Sequence, residues 1–182
     1  MNDPIRQKKL EVTNQAKINQ FLSEAKTGYL GLTNKETPYV VPLNYIWWKD
    51  AIYFHGAAEG RKTEMIKDNA NACFTVSEEN GTLVNPIPAH TDTVYMSVIL
   101  FGLVEIVTSL EEATASLQQL LNKYVPGYYN SPLAQSHVEK YQSSLGSKTA
   151  VYKIVPTHIS AKENKGIESS KFYPGRTIQD DL

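Results

Sequence analysis

The chain has 182 residues, of which 41% are hydrophobic and 20% are charged, a composition typical of a soluble globular domain rather than of a disordered chain. Lys and Arg number 18 against 19 Asp and Glu, so the formal net charge of -1 argues against a dedicated nucleic-acid-binding protein. One cysteine, Cys73, excludes an intramolecular disulfide framework, and the lack of a signal-peptide pattern or a long apolar segment predicts a cytoplasmic protein without a membrane span.

Hydrophobic periodicity divides the chain into helices and strands. In chain order it predicts a helix over 13–25, strands over 29–32, 38–48 and 51–56, a helix over 59–70, strands over 72–77 and 93–107, helices over 109–125 and 132–145, and a strand over 148–160. Ser109 and Glu112 match a capping box at the start of one of these helices. The stretch 78–92 predicts a long loop, and the polar stretch 161–182 predicts an irregular C-terminal tail.

Four residues predict local features of the strands and of the turn between two of them. Pro42 cannot donate a hydrogen bond to a sheet, so its strand should lie near a sheet edge or contain a bulge. Lys49 and Asp50 predict a hairpin turn, and Gly102 predicts a bend or bulge in the longest strand.

The number and order of these elements indicate the fold class. Six strands, few helices and a hairpin-rich middle predict an α+β, mainly β protein with an antiparallel, barrel-like sheet and helices packed outside it. A doubly wound parallel sheet would need regular alternation of strands and helices, which is absent before residue 56. The chain is too short for two comfortable domains, so we expect a single domain over 1–182.

Several common site motifs are absent from the sequence. It has no GxGxxG after the first strand, no GxxxxGK[ST] and no GxSxG, which excludes the dinucleotide fingerprint, the phosphate loop and the hydrolase elbow. The four histidines, at positions 55, 90, 137 and 158, are not spaced as metal ligands, so we expect no metal site. Cys73 lies in an apolar strand, where a buried structural thiol is expected rather than a nucleophile.

The stretch YFHGAAEGRK, residues 53–62, is the most informative part of the sequence. It predicts a strand that passes through small residues into a helix, with Gly56 and Gly60 allowing a ligand to approach the backbone. Free N–H groups at a helix start attract an anion, and Arg61 and Lys62 add two positive charges there. The stretch therefore predicts a phosphate site. The alternative is a solvated helix face beside a hydrogen-bonded His55 in the sheet.

Two parts of the sequence together resemble the flavin-binding split-barrel superfamily of pyridoxamine phosphate oxidases. They are the run PYVVPLNYIWWKDAIYFHGAAEGRKTEMIKDNANACFTV and the stretch YMSVILFG at 95–102. The similarity is greatest to the branch of 5-nitroimidazole-resistance (Nim) proteins and covers roughly residues 13–160, which leaves the tail unassigned. It implies a six-stranded split barrel that forms a homodimer, with one FMN in each of two clefts between the subunits. FAD and haem are less favoured cofactors, FAD because the phosphate site is compact.

The resemblance also implies which residues contact the cofactor. In such folds an Arg-Lys pair after a short turn binds the flavin phosphate, and here that pair is Arg61 and Lys62. The other implied contacts are His55 and Gly56 at the end of the preceding strand, Leu43 and Asn44 along the flavin ring, and Ser97 and Val98 on the later long strand. Of these assignments, only the phosphate-binding role of the Arg-Lys pair is also predicted from the residue types and their spacing, without the resemblance.

The sequence departs from the pyridoxamine oxidases in two places. Their flavin-contacting strand carries basic residues, whereas this chain has VVPLNY at 40–45, and their C-terminal Arg-His pattern is reduced to Arg176 without a matching histidine. Oxidation of pyridoxamine phosphate itself is therefore not expected. The catalytic residues stay unknown: His55 is either an acid or base near the flavin or, as we favour, a hydrogen-bonding partner of its phosphate.

The resemblance implies an FMN-dependent oxidoreductase of the nitroreductase type, which would transfer two electrons from a small-molecule donor to a small aromatic or nitro acceptor. One alternative is a flavin- or haem-binding protein on the same barrel without turnover, in which an accessible His55 could bind haem iron. Another is a dimeric regulator without a cofactor. The sequence names neither the donor nor the acceptor, and no nucleic-acid or membrane partner is expected.

Two adjacent tryptophans, Trp47 and Trp48, lie at the predicted hairpin tip. Neighbouring strand residues point to opposite faces, so we expect one of the two rings to be exposed. It could stack over the partner's cofactor cleft. Packing in the dimer is the interpretation we favour, because aromatic side chains are enriched at interfaces.

Overall fold

A computed structural model describes residues 5–34, 37–142 and 146–182 of the chain. Its helices and strands are, in chain order, α1 (Gln15–Glu24), β1 (Thr27–Asn34), β2 (Thr37–Asn44), β3 (Ile46–Trp48), β4 (Ala51–Ala57), α2 (Arg61–Asp68), β5 (Asn71–Leu83), β6 (Asp92–Ile106), α3 (Leu110–Tyr124), α4 (Gln135–Val138) and β7 (Thr149–Asn164). None of the helices among the described residues combines the length and the apolar character needed to cross a lipid bilayer.

The strands form one antiparallel sheet in the order β2-β1-β5-β6-β7-β4-β3. β2 and β3 are therefore edges, yet β2 also approaches β4, so the sheet curls around a common core. The predicted class, a mainly β split barrel with flanking helices, is confirmed. The described chain has seven strands in place of the predicted six, and the sheet is not closed.

The additional strand arises because the predicted strand over 38–48 is divided at Tyr45. The backbone N–H of Tyr45 donates a hydrogen bond of 2.9 Å to the hydroxyl of Tyr124 on α3, and that hydroxyl also lies 3.0 Å from Tyr45 O. These contacts occupy backbone groups that a continuous strand would use for pairing. The Tyr45 ring is fully buried and packs edge-on against Phe74, with ring centroids 5.2 Å apart.

One face of the sheet forms the main core with α1. Its fully buried side chains include Leu22, Leu30, Phe54, Phe74, Leu100 and Tyr152. Phe54 and Tyr152, on the paired strands β4 and β7, are stacked with centroids 5.2 Å apart. A second cluster, which includes Tyr53 and Leu117, lies between β4 and α3. β4 is therefore buried on both faces over its first four residues, 51–54, whereas His55 near its end is exposed.

Three local signals in the sequence are confirmed. Pro42 lies in the edge strand β2, where one side of the strand has no sheet partner. Lys49 and Asp50 have φ angles of 51° and 55°, which form the tight hairpin turn between β3 and β4. The register between β6 and β7 shifts at Gly102, and a Cβ there would collide with the backbone of β7.

The predicted capping box at the start of α3 forms only in part. Ser109 caps the helix, since its hydroxyl accepts a hydrogen bond of 3.2 Å from Glu112 N–H. The Glu112 carboxylate instead accepts a hydrogen bond of 2.8 Å from the hydroxyl of Tyr53. Burial, followed by this hydrogen bond and the carboxylate charge, raises the pKa of Tyr53 to about 12.

Other boundaries predicted from the sequence are wrong. β5 continues to Leu83, into the predicted loop over 78–92, because its second half pairs with β6 across a register shift. β7 continues to Asn164, into the predicted irregular tail, because its last residues pair with the first half of β6. The predicted helix over 132–145 is reduced to α4, and residues 143–145 of that prediction lie outside the described residues.

After β7 the tail returns along the end of β5. Phe172 N–H donates a hydrogen bond of 2.8 Å to Thr82 O, which attaches the tail to the sheet. The Arg176 guanidinium bonds the Asp181 carboxylate and two backbone carbonyls of the tail itself. Arg176 therefore serves to hold the tail in its own conformation.

Candidate functional site

The turn that follows β4 is held by two hydroxyl groups. Thr63 Oγ1 lies 3.1 Å and Tyr152 Oη lies 3.2 Å from the carbonyl oxygen of Ala57, and 2.9 Å separates the two hydroxyls. Thr63 is buried on α2, whereas Tyr152 belongs to β7. The end of β4 and the start of α2 are thus fixed to the sheet by one shared hydrogen-bond network.

The helix α2 begins with backbone donors that no side chain satisfies. Its N-cap residue, Gly60, has φ 98° and ψ 178°, a conformation that glycine adopts with little strain, and no side chain caps the helix. The first N–H groups of α2, including those of Arg61 and Lys62, therefore lack the usual side-chain acceptor. They also carry the positive end of the helix dipole, which favours an anion at this position.

Arg61 and Lys62 bring two positive charges to this turn. Among the residues that the structure describes, neither forms an ion pair with a carboxylate. The exposed Arg61 guanidinium lies 5.8 Å from the centre of the Tyr39 ring on β2. Lys62 is half-buried, with Nζ 5.5 Å from the centre of the Phe54 ring and 5.3 Å from that of Tyr152.

Gly56 makes room for the Lys62 ammonium. A Cβ at Gly56 would collide with Lys62 Nζ, so a side chain at this position would displace the ammonium from β4. Burial removes water from Lys62 Nζ and lowers its pKa. An anion beside Nζ would replace part of the lost hydration and raise that pKa again.

His55 lies next to Gly56 at the end of β4. Its side chain is exposed to solvent, although neighbouring atoms remove part of its hydration. That desolvation, and then the charge of Lys62, lowers the pKa of His55 below its usual value near 6.5. At neutral pH the imidazole is therefore neutral, with one nitrogen able to donate and the other able to accept a hydrogen bond.

Together these residues form a positively charged group at the start of α2, which we call the α2 cradle: His55, Gly56, Gly60, Arg61, Lys62 and the first-turn N–H groups of α2. An arginine can bind a phosphate through two parallel hydrogen bonds, and a lysine adds a point charge. The open backbone at the two glycines allows close approach. The residues present therefore fit a single phosphate group.

The other four predicted cofactor contacts lie elsewhere in the fold. Leu43 and Asn44 end β2, where Leu43 packs against the core and Asn44 is exposed. On β6, Ser97 is half-buried on the outer face of the sheet, whereas the Val98 side chain is fully buried in the core. Hydrogen bonds and ring contacts among the described residues do not join these four residues to the α2 cradle, so their role stays a prediction.

Sequence reasoning missed three residues that shape the site. Thr63 and Tyr152 hold the turn, and Tyr39 lies against Arg61. Thr63 directly follows the Arg-Lys pair, and this hydroxyl in the first turn of a short helix is a signal that could have revealed it. The two tyrosines belong to distant strands, and their local sequence contains no such signal.

The structure also locates the remaining candidate residues. Among the described residues, no group of three or more His, Cys, Asp or Glu side chains is placed to hold a metal ion. Cys73 is half-buried on the outer sheet face, so the prediction of a buried thiol is wrong. Trp47 and Trp48 are both half-buried, so the prediction that one ring is exposed is also wrong. Each packs against a core cluster of its own protomer.

Comparison with known proteins finds one matching family model and several solved structures with the same fold. A family model described as pyridoxamine 5'-phosphate oxidase matches residues 14–163. A flavocytochrome from Azotobacter vinelandii superposes with a TM-score of 0.76 at 21% identity, over 95% of this chain and 79% of that one. A protein from Bacteroides thetaiotaomicron, provisionally described as a 5-nitroimidazole antibiotic resistance protein, gives a TM-score of 0.64 at 23% identity, over 84% and 86%.

A FAD and heme binding protein from Mycobacterium smegmatis superposes with a TM-score of 0.70 at 16% identity, over 94% of this chain and 78% of that one. Identities this low establish a shared fold and no shared ligand or activity. A comparison with curated protein sequences gives no match.

Proposed function

This chain belongs to the pyridoxamine 5'-phosphate oxidase family, and we propose that it is an FMN-dependent oxidoreductase of the nitroreductase type, with the flavin phosphate held by the α2 cradle. The observation that carries the proposal is a helix start without a side-chain cap, next to two cations without carboxylate partners in the described chain. We further propose a single domain over 1–182 acting in the cytoplasm, which the single cysteine supports.

The size of the α2 cradle favours FMN over FAD. The two cations and the first turn of α2 are adjacent, so they suit one phosphate monoester more than an extended pyrophosphate. When bound, the flavin would supply the two-electron redox chemistry. The chain's own residues would position it: Lys62 and Arg61 through charge, Gly56 through close approach, and His55 through a hydrogen bond.

The flavin ring is proposed to lie between two copies of the chain, along Leu43 and Asn44 of β2 and near Ser97 and Val98 of β6. Support for a homodimer comes from the outer face of the sheet. Exposed apolar side chains there include Tyr29, Val40, Phe101 and Leu103. Val40, Phe101 and Leu103 line an open groove of about 770 Å³ that also includes Cys73. Contiguous exposed apolar surface of this kind favours burial against a second copy.

The proposed acceptor is a small nitroaromatic compound such as a 5-nitroimidazole, with a small-molecule electron donor. The Bacteroides protein that shares this fold is described as a 5-nitroimidazole antibiotic resistance protein. Oxidation of pyridoxamine phosphate is not proposed. Arg176, the basic residue that the tail could offer to a substrate phosphate, is already bound to Asp181 and to backbone carbonyls.

A second candidate is a flavin- or haem-binding protein without turnover. Its support is His55, a solvent-accessible imidazole that is neutral at neutral pH, which is the form that binds haem iron. Two structures with this fold are described as a flavocytochrome and as a FAD and heme binding protein. A His55→Ala substitution should remove a haem absorption band while leaving most FMN binding in place.

The experiment that tests the proposal is an absorption spectrum of the purified protein, followed by denaturation and identification of the released cofactor. We expect a flavin spectrum and released FMN. Reduced nicotinamide and a 5-nitroimidazole are then supplied without oxygen, and consumption of both is followed. A colourless protein that also fails to bind added FMN would overturn the cofactor assignment. Bound FMN without nitroimidazole reduction would overturn the acceptor and favour the second candidate.

A further inference from the structure

A second cavity, of about 550 Å³, lies away from the α2 cradle, between the ends of α1 and α3 and the strand β3. It is lined by Ser23, Glu24, Lys26, Ile46, Trp47, Trp48, Gln119, Asn122 and Lys123. β3 is one of the two edge strands of the sheet, so one side of its backbone has no strand partner. The volume falls within the range of small-molecule binding sites.

Two ammonium groups of this cavity have unused hydrogen-bonding capacity. Lys26 Nζ donates one hydrogen bond of 2.7 Å to Lys123 O, and Lys123 Nζ donates a long one of 3.4 Å to Leu22 O. Neither lysine forms an ion pair with a carboxylate among the described residues. Each ammonium also lies over an aromatic ring: Lys123 Nζ is 4.0 Å from the centre of the buried Tyr45 ring, and Lys26 Nζ is 5.2 Å from the centre of the Tyr124 ring. These ring contacts use no hydrogen-bond acceptor, and an ammonium can donate three hydrogen bonds, so each lysine retains donors for a ligand.

Two tryptophan side chains form the aromatic part of the cavity lining. Trp47 and Trp48 both line the cavity, although adjacent strand residues point to opposite faces. The Trp48 ring already contacts the Tyr53 ring, with centroids 5.4 Å apart, and the ammonium of Lys49 at 4.3 Å, so a ligand ring can lie against only one of the two indoles. Indole rings stack on other planar rings through their faces. The cavity also contains Glu24, but Gln20 Nε2 already donates to its carboxylate at 2.9 Å.

We propose that this cavity binds a small planar aromatic monoanion, such as an arene carboxylate, with its ring against one of the two indole rings and its carboxylate between Lys26 and Lys123. The two ammonium groups would supply charge-assisted hydrogen bonds, and Asn122 or Gln119 could donate an additional one. The single acidic residue lining the cavity disfavours ligands with several negative charges near it. This site is independent of the flavin assignment.

Intrinsic fluorescence offers a selective test, because Trp47 and Trp48 are the only two tryptophans in the chain. Benzoate is titrated into the protein as purified, with benzyl alcohol as the neutral ring and acetate as the anion without a ring. We expect a saturable fluorescence change with benzoate and much weaker binding of the other two. Affinity is confirmed by calorimetry, which does not depend on the tryptophan signal.

Variants then test the two lysines. Lys26→Met and Lys123→Met should each weaken benzoate binding about tenfold, the loss of one charge-assisted hydrogen bond. Lys123→Arg keeps the positive charge and should retain most of the benzoate affinity. It therefore still tests the role of the charge if Lys123→Met does not fold. Lys140→Met, an exposed lysine on the loop after α4, is the matched control and should bind benzoate normally.

A variant of the α2 cradle separates this site from the flavin site. Lys62→Ala should bind benzoate as the unmodified chain does, even where it loses the flavin. Equal binding of benzoate and benzyl alcohol, or unchanged benzoate affinity in both lysine variants, would overturn the proposal. Loss of benzoate binding in Lys62→Ala would assign the anion to the α2 cradle instead.

Discussion

Replacing Lys62 with alanine should weaken FMN binding much more than riboflavin binding. The two ligands differ by the phosphate, which is the group that the α2 cradle is proposed to hold. Lys62 is half-buried, and its ammonium has no carboxylate partner among the described residues, so a ligand phosphate is the anion it can pair with. Riboflavin lacks that anion and should be nearly insensitive to the substitution.

The expected magnitude follows from the environment of each cation. A hydrogen bond to a charged group contributes about 1.5–3 kcal/mol, so Lys62→Ala should raise the Kd for FMN by about 10- to 150-fold. Arg61 is exposed, and a solvent-screened pair contributes about 1 kcal/mol or less, so Arg61→Ala should raise the Kd about fivefold at most. The ranking of the two variants is therefore part of the prediction.

The assay is a titration of cofactor-free protein with FMN and with riboflavin, followed by the quenching of flavin fluorescence. Lys67→Ala is the matched control, because Lys67 lies in the last turn of the same helix and is exposed. It should leave the FMN to riboflavin ratio of Kd values unchanged. The reasoning is refuted if Lys62→Ala weakens both ligands equally, or if it leaves the ratio at the value of the unmodified chain.

Three further predictions concern backbone strain, assembly and pH. Gly60→Ala should reduce the free energy of unfolding by about 1–3 kcal/mol in urea titrations, because φ is 98° there; an unchanged value would contradict the strain. Leu103→Glu on the outer sheet face should yield monomers in sedimentation experiments, and intact dimers would exclude that face as the interface. Burial, with the charge of Lys26, lowers the pKa of Lys123 to about 8, so the unfolded chain binds more protons than the folded chain between about pH 8 and the usual lysine pKa of 10.5. The free energy of unfolding should therefore rise with pH in this window, and it should rise less steeply in Lys123→Met than in the unmodified chain. Urea unfolding at several pH values measures this, and equal dependence on pH in the two chains would contradict the lowered pKa.

Features that depend on neighbouring residues could be predicted from the sequence. The hairpin at Lys49 and Asp50 follows from two polar residues between extended runs, and the bulge at Gly102 follows from a residue without a side chain inside a long strand. The uncapped helix start beside Arg61 and Lys62, on which the proposed phosphate site depends, is also local, because the helix start and the two cations lie within a few residues.

Features that depend on distant partners could not be predicted in this way. β2 ends where it does because the hydroxyl of Tyr124, 79 residues further along, contacts the backbone of Tyr45. β5 extends through polar residues because β6 offers a partner edge, and no hydrophobic alternation marks that extension. The hydroxyl of Tyr152 that holds the turn before α2 lies 95 residues from Ala57. Pattern reasoning therefore predicts the residues of the proposed site but not the distant residues that hold its turn in place.

The environment of Lys62 also bears on the alternative in which the Arg-Lys pair is only a solvated helix face. A solvated lysine would extend into water, whereas Lys62 Nζ lies against two stacked core rings and has a lowered pKa. Glu59 and Glu64 are close in sequence, yet neither pairs with it among the described residues. A desolvated cation without a counter-ion destabilises the folded chain, and an anionic ligand that binds the folded state removes this penalty. The same arrangement would therefore lower the stability of the free protein and raise its affinity for the proposed phosphate, as expected of a binding site and not of a solvated surface.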